Sequence, residues 1–187
     1  HHIDFPGTIS IEDSTLTNLI IDIVESLIKN KFERILILNG HGGNANIIKN
    51  AVQVMRYKKN IYIASANYWD FAMDEIKKWR LSEMGGINHA CEMETSLMYS
   101  QEEIIVQKDK IEDNPLKRSN YTGLDLLSGG QVSVSASFKE LSKSGVIGTP
   151  SLANKERGDI LFKQIINKIS DFFVDFYKWP KPLTGKE

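Results

Sequence analysis

The sequence predicts an α/β fold with a largely parallel sheet, and three observations predict it. Two short apolar runs, Arg34-Ile35-Leu36-Ile37-Leu38 and Ile61-Tyr62-Ile63-Ala64-Ser65-Ala66, have strand character. Segments with apolar residues at helical spacing precede, separate and follow them. A glycine-rich turn, Asn39-Gly40-His41-Gly42-Gly43-Asn44, joins the first run to the next helix. Strand–helix–strand–helix alternation marks a sheet whose parallel strands are linked by crossover helices.

Taken in order, a Pro-Gly turn at Phe5-Pro6-Gly7-Thr8 leads into a helix from about Ser14 to Lys31. Leu16, Leu19, Ile20, Ile23, Leu27 and Ile28 give the helical stripe, and Asp13 or Ser14 is the expected N-cap. The continuous run 34–38 reads as a strand buried on both faces. A second helix, Ala45 to Lys58, follows the glycine turn and packs through Ile47, Ile48, Ala51, Val52 and Met55. After the strand at 61–66, a helix is expected from Asp70 to about Leu81 and another beginning near His89. Asn114 to Gly130 is polar, carries Pro115, Gly123, Gly129 and Gly130, and reads as a loop. Ser151 is the expected cap of a long last helix, from about Leu152 to Tyr177, ended by Trp179-Pro180.

Composition excludes several function classes. Among 187 residues, 23 basic side chains face 24 acidic ones, a formal net charge of -1, with no block of five like charges. Neither a nucleic-acid footprint nor a membrane-surface footprint is expected. No apolar run approaches the length of a membrane span. The single cysteine, Cys91, cannot form an internal disulfide, so the chain reads as reduced and cytoplasmic, and Cys91 itself as a small buried residue.

Two constellations can carry chemistry. A strand feeding a glycine-rich turn places that turn at the carboxyl edge of the sheet, where open α/β folds bind ligands. Gly42 and Gly43 leave space beside His41, and a neutral imidazole there suits Zn²⁺, Mn²⁺ or Fe²⁺. A structural turn, or a phosphate cradle without a Gly-Lys-Ser ending, is the alternative. The second constellation is His89-Ala90-Cys91-Glu92-Met93-Glu94-Thr95-Ser96. On a helix, His89, Glu92 and Ser96 would share one face, an arrangement able to present an imidazole and a carboxylate to one site. A solvated helix face is the plainer alternative.

Read together, H-x-x-F-P-G-T at 2–8, N-G-H-G-G-N at 39–44 and H-A-x-E-x-E-T-S at 89–96 resemble the creatininase-like amidohydrolases in motif and order. Tyr68-Trp69-Asp70 resembles the family's strand-end Y-W. The stretch Gly145 to Pro150, with Ala153 and Glu156-Arg157-Gly158, resembles its closing segment. The resemblance implies a single creatininase-like domain over 1–187, a three-layer α/β/α sandwich and a homo-oligomer, a hexamer by analogy. It implies a Zn²⁺ or Mn²⁺ enzyme, with Fe²⁺ as a further candidate, that hydrolyses an amide or related C–N bond of a small molecule through a metal-activated water. His41 would be a metal ligand, and Glu92 a ligand or an acid/base. His89 would be the catalytic proton shuttle, with His2, Gly42, Gly43 and Trp69 near the substrate. Gly42 and Gly43 stand where creatininases proper carry an aromatic and an acidic ligand, and Gly85 where they carry a tryptophan. Both departures argue against creatinine as the substrate. The family's E-x-H-G-x-H-L-P-x-x-T-D ligand segment is not among these residues. The 187-residue chain is therefore expected to be an N-terminally shortened member that binds metal weakly and is catalytically impaired. A non-catalytic scaffold and a phosphate-binding α/β protein are the alternatives in function.

Overall fold

The computed structural model describes residues 2–59, 61–102, 106–117 and 119–182. It contains two compact units. One takes the described residues up to Ile9 together with Ala72–Ile166, and the other takes Ser10–Phe71 with the described residues from Asn167.

The second of these holds α1 (Asp13–Lys29), β1 (Arg34–Asn39), α2 (Ala45–Lys58) and β2 (Tyr62–Asn67). β1 and β2 are parallel and in register from Arg34↔Tyr62 to Asn39↔Asn67, as the alternation predicts. Ile35, Ile37 and Ile63 pack on one face with Val24 of α1 and Met55 of α2. Alternate residues point the other way. There the Tyr62 ring meets Trp179 edge-on at 5.7 Å and Phe176 at 6.2 Å, on the last turns of α6 (Lys155–Lys178) and just beyond. Arg34 donates to the Trp179 carbonyl at 2.6 Å. Helix pair, strand pair and helix make three layers, and the fold is α/β.

Three details differ from expectation. α1 starts one residue early, behind an extended Glu12 whose side chain makes no cap. Asp13 instead lies in the first turn, where its charge favours the positive end of the helix. The helix stops at Lys29 because Lys31 turns left-handed, with φ 70°. β1 is not buried on both faces. The aromatic layer from α6 touches the strands at Arg34 and Tyr62, and Leu38 near the far end is 46% exposed.

The other unit contains α3 (Met73–Trp79), β3 (Ile87–His89), α4 (Glu92–Glu102), α5 (Phe138–Leu141), β4 (Ile147–Gly148) and the first half of α6. Its buried residues include Ile76, Ile87, Cys91, Met93, Ile147 and Leu161. β3 and β4 are antiparallel, and Asn114 bridges to Gly148 beside them. The helix expected from Asp70 divides into a 3₁₀ turn, Tyr68–Ala72, and α3. The helix expected near His89 begins only at Glu92, because His89 ends a strand. Ser151 does not cap the last helix. Its amide and hydroxyl both donate to Asp113, and Asn154 caps instead, accepting the Arg157 amide at 3.0 Å. The polar 114–130 segment is a loop, tied down by Asp125, which accepts from Arg80 at 2.9 Å and from the Gly85 amide at 3.1 Å. Among the described residues no helix is long and apolar enough to cross a membrane.

Two glycines set close approaches. Gly148 holds φ 150°, and a Cβ there would lie 2.5 Å from the Cβ of Cys91. A Cβ on Gly158 would overlap the carbonyl oxygen of Ser96, so α6 lies directly on α4 at that point. Ala in place of a helical Gly ordinarily gains roughly 0.5–1 kcal/mol. Here overpacking, at about 1–3 kcal/mol, should win and reverse the sign. Gly158→Ala is expected to lower the urea midpoint, whereas Gly42→Ala, which meets open space, should change stability by less than about 0.5 kcal/mol. A raised midpoint for Gly158→Ala would contradict the close crossing.

Candidate active site

In the β1–β2 unit, parallel pairing ends both strands at one edge, at Asn39 and Asn67. His41 follows in extended conformation, with φ −142° and ψ 124°, and begins the 3₁₀ turn Gly42–Asn44 that leads into α2. Its carbonyl accepts the Asn44 amide at 3.0 Å. None of the left-handed glycines falls in this turn, since those are Gly7, Gly85, Gly123, Gly145 and Gly148. Backbone strain therefore does not demand the glycines there. Open space does fit, because a Cβ on Gly40 or Gly42 would meet nothing within 4 Å. Burial holds the His41 imidazole below its usual pKa of 6.5. The ring is thus neutral at physiological pH, the form that ligates metals.

Beside this loop, Asn39, Lys49, Asn67 and Asp70 line a small open pocket. Trp69, on the 3₁₀ turn after β2, is 6% exposed and meets Tyr68 edge-on at 5.0 Å. It is mainly a core residue of its unit.

In the β3–β4 unit the structure brings His2 and His89 together. Their ring centroids are 4.7 Å apart, and Phe138 packs on both, 4.0 Å from His2 and 5.0 Å, edge-on, from His89. The Phe-Pro-Gly-Thr turn places His2, with the Phe5 amide donating to the His2 carbonyl at 3.0 Å. Phe5 itself lies against Gly145, under the ammonium of Lys139. Phe138 was not a sequence candidate. The Ser137–Glu140 capping box that fixes its short helix was the available signal.

The shared His89–Glu92 helical face does not form. His89 ends β3, Ala90 turns left-handed at φ 47°, and α4 starts at Glu92. The Glu92 side chain is fully buried, and both its oxygens are occupied. Oε1 accepts the Leu81 amide at 2.8 Å, Oε2 accepts the Ser82 amide at 2.9 Å, and Arg157 lies 3.5 Å from Oε1. This carboxylate serves the backbone of the turn after α3 and does not share a helical face with His89. Glu94 reaches back one turn to accept the Ala90 amide and also bonds the Cys91 backbone. It is the glutamate half of a capping box at the strand–helix junction. Cys91 is buried, as expected, and burial pushes its thiol up to about 12.

Among the described residues, no three His, Cys, Asp or Glu side chains converge to hold a metal. His41 has the right donor chemistry for a divalent ion, as one member of a donor set. Tight sites use three or more protein groups.

Glu92→Ala would leave the Leu81 amide, the buried Ser82 amide and Arg157 without their acceptor. It should cost about 3 kcal/mol or more in urea unfolding, and Glu92→Gln, which keeps one acceptor oxygen, should cost less. Burial raises the Glu94 carboxyl above its ordinary 4.5, against the pull of the Ala90 and Cys91 amides. The folded state then holds that proton more tightly than the unfolded chain. The stability this confers is complete below pH 4.5 and is lost as pH rises through the raised value. Unfolding curves between pH 4 and 8 should show the wild-type advantage over Glu94→Gln shrinking across that window. A pH-independent difference would refute the assignment.

Comparison with known proteins supplies the remaining finding. The chain is 25% identical over 177 residues to the creatinine amidohydrolase of Pseudomonas putida, covering 89% of this chain and 65% of that protein. It is 27% identical over 175 residues to the mycofactocin precursor peptide peptidase of Mycolicibacterium smegmatis, covering 91% and 60%. It therefore spans less than two thirds of either relative. A Bacteroides fragilis crystal structure described as a creatinine amidohydrolase superposes with a TM-score of 0.80 at 25% identity, over 95% of this chain and 67% of that one. A manganese creatininase structure superposes at 0.67 with 24% identity, over 94% and 69%, which speaks to the fold. The family model for creatininase, described as creatinine amidohydrolase, matches residues 1–173, and the chain belongs to the creatininase family.

Proposed function

We propose that this chain is a single creatininase-like domain of a metal-dependent hydrolase that cleaves an amide or related C–N bond in a small molecule. The observation that carries the reading is the place of His41, at the carboxyl edge of a parallel strand pair between Gly40 and Gly42, where an added Cβ would meet open space. The relatives support the reaction class, since one is named for creatinine amide hydrolysis and another for peptide hydrolysis. Zn²⁺ or Mn²⁺ is the expected ion, with Fe²⁺ a third candidate, because a manganese form and a zinc form are known among similar folds.

A divalent ion held by His41 and further donors supplies Lewis acidity and lowers the pKa of water. The chain's own residues do the rest. His89 delivers a proton to the leaving nitrogen, a task suited to an imidazole near neutral pH. His2, the substrate-contacting residue of this reading, packs against it, and Phe138 gives both rings an apolar wall. Gly42 and Gly43 keep the approach to His41 clear for the substrate. Trp69 supports the turn behind it. Glu92 is left out of the donor set because its oxygens hold amides. We further propose a homo-oligomer, a hexamer by family analogy, working in the cytoplasm, which suits a chain with one buried cysteine.

The test is hydrolysis of a panel of cyclic amides, formamides and lactone-like sugars, with Zn²⁺ or Mn²⁺ and after chelation. Activity should vanish on chelation and return with the metal. His41→Ala should abolish it, and His89→Ala should lower kcat by roughly 10²–10⁴-fold. Near-normal rates in either variant would sink the assignment.

A further inference from the structure

The last residues of the two parallel strands carry a chain of side-chain hydrogen bonds that the reading above leaves without a purpose. Asn39 accepts the His41 amide on Oδ1 at 3.1 Å, and through Nδ2 it donates both to the His41 carbonyl at 2.8 Å and to Oδ1 of Asn67 at 2.7 Å. Asn67 is the register partner of Asn39, and its own Nδ2 donates to Oδ2 of Asp70 at 2.8 Å. Asn39 is 4% exposed, so water does not substitute for these partners.

The two ends of the chain fix its direction. A backbone N–H can only donate and an ionised carboxylate can only accept. Asn39 must therefore present oxygen to His41, which turns its nitrogen toward the His41 carbonyl and Asn67. Asn67 must then present its oxygen to Asn39 and its nitrogen to Asp70. No flip of either amide satisfies both ends. His41 is thus gripped by its N–H and its C=O together, which sets φ and ψ on both sides of its Cα and so aims its Cβ.

We propose that Asn39, Asn67 and Asp70 form a positioning relay for His41, built to present its imidazole to a divalent ion. This inference rests on the reading of His41 as a metal donor. The relay explains why strand ends 28 residues apart both carry asparagine. It also assigns Asp70 an anchoring task rather than a place on the ion.

The test is Zn²⁺ titration by calorimetry on the 187-residue chain, with thermal unfolding measured alongside. Asn39→Asp can still accept from the His41 amide but cannot donate to the His41 carbonyl or to Asn67. It should weaken His41-dependent zinc binding by about 10–100-fold, the usual loss when a partner orienting a metal ligand is removed. Asp70→Asn keeps an acceptor oxygen for Asn67 and should rescue the relay, staying within about threefold of wild type. Should Asn39→Asp fail to fold, Asn67→Ser, which shortens the link while leaving Asn39 in place, should show an intermediate loss. His41→Ala separates the two claims. If the unaltered chain shows no zinc binding that His41→Ala removes, the donor reading fails, and the relay with it. If His41→Ala removes binding and the folded relay variant leaves the affinity unchanged, the relay alone is wrong.

Discussion

The buried carboxylate of Glu92 is the constraint on which the unit around His89 depends. Taking a carboxylate out of water costs several kcal/mol unless its oxygens find partners. Here two backbone amides and the guanidinium of Arg157 supply them. Hydrogen bonds to a charged group contribute about 1.5–3 kcal/mol each, so the amide pair alone can offset much of that penalty. Arg157 adds less than a buried partner would, because its side chain is 30% exposed. It also lies over the Trp79 ring at 5.9 Å, which fixes the fork that meets Glu92.

That one residue fixes three segments. It holds the turn after α3 through Leu81 and Ser82, and it starts α4. Through its carbonyl it accepts the hydroxyl of Ser96, which in turn accepts the Asn154 amide just before α6. The contact between Gly158 and Ser96 then lets α6 lie directly on α4. With α4 held at its first residue, the left-handed Ala90 and the strand-ending His89 have no freedom to drift. His89 therefore meets His2 and Phe138 in a defined cluster. The β1–β2 unit solves the same problem differently, because its histidine sits on a glycine loop and needs a grip on its backbone rather than a helix start.

Much of this was legible in the sequence where the signal is local. Helical spacing located α1 and α2, and apolar runs located β1 and β2, because periodicity reflects which face each element buries. The motifs around His41 and His89 also marked the places where the structure presents imidazoles. The errors share a physical cause. The helix expected at His89 failed because an Ala with φ 47° leaves no trace in composition. Glu92 looked like a ligand because the amides that donate to it lie 10 and 11 positions back, invisible to any helical-face argument. Ser151 looked like a cap because Asp113, which takes both of its donors, lies 38 residues away. The exposure of Leu38 likewise depends on where α6 reaches, not on its own strand. Non-local pairing decided each case.

The motif H-A-x-E-x-E can now be divided by task. Glu92 and Glu94 both fall in the first turn of α4, where unsatisfied amides and the helix dipole favour anions. Glu92 reaches outward to the amides of a neighbouring turn, and Glu94 reaches back to the amides of its own junction. Both carboxylates face backbone amides, and the raised pKa of Glu94 follows from the same enclosure. The acidic neighbours of His89 act as struts that keep its imidazole at the end of a short, irregular strand. In this chain the acidic motif beside the histidine thus builds the junction from which α4 starts.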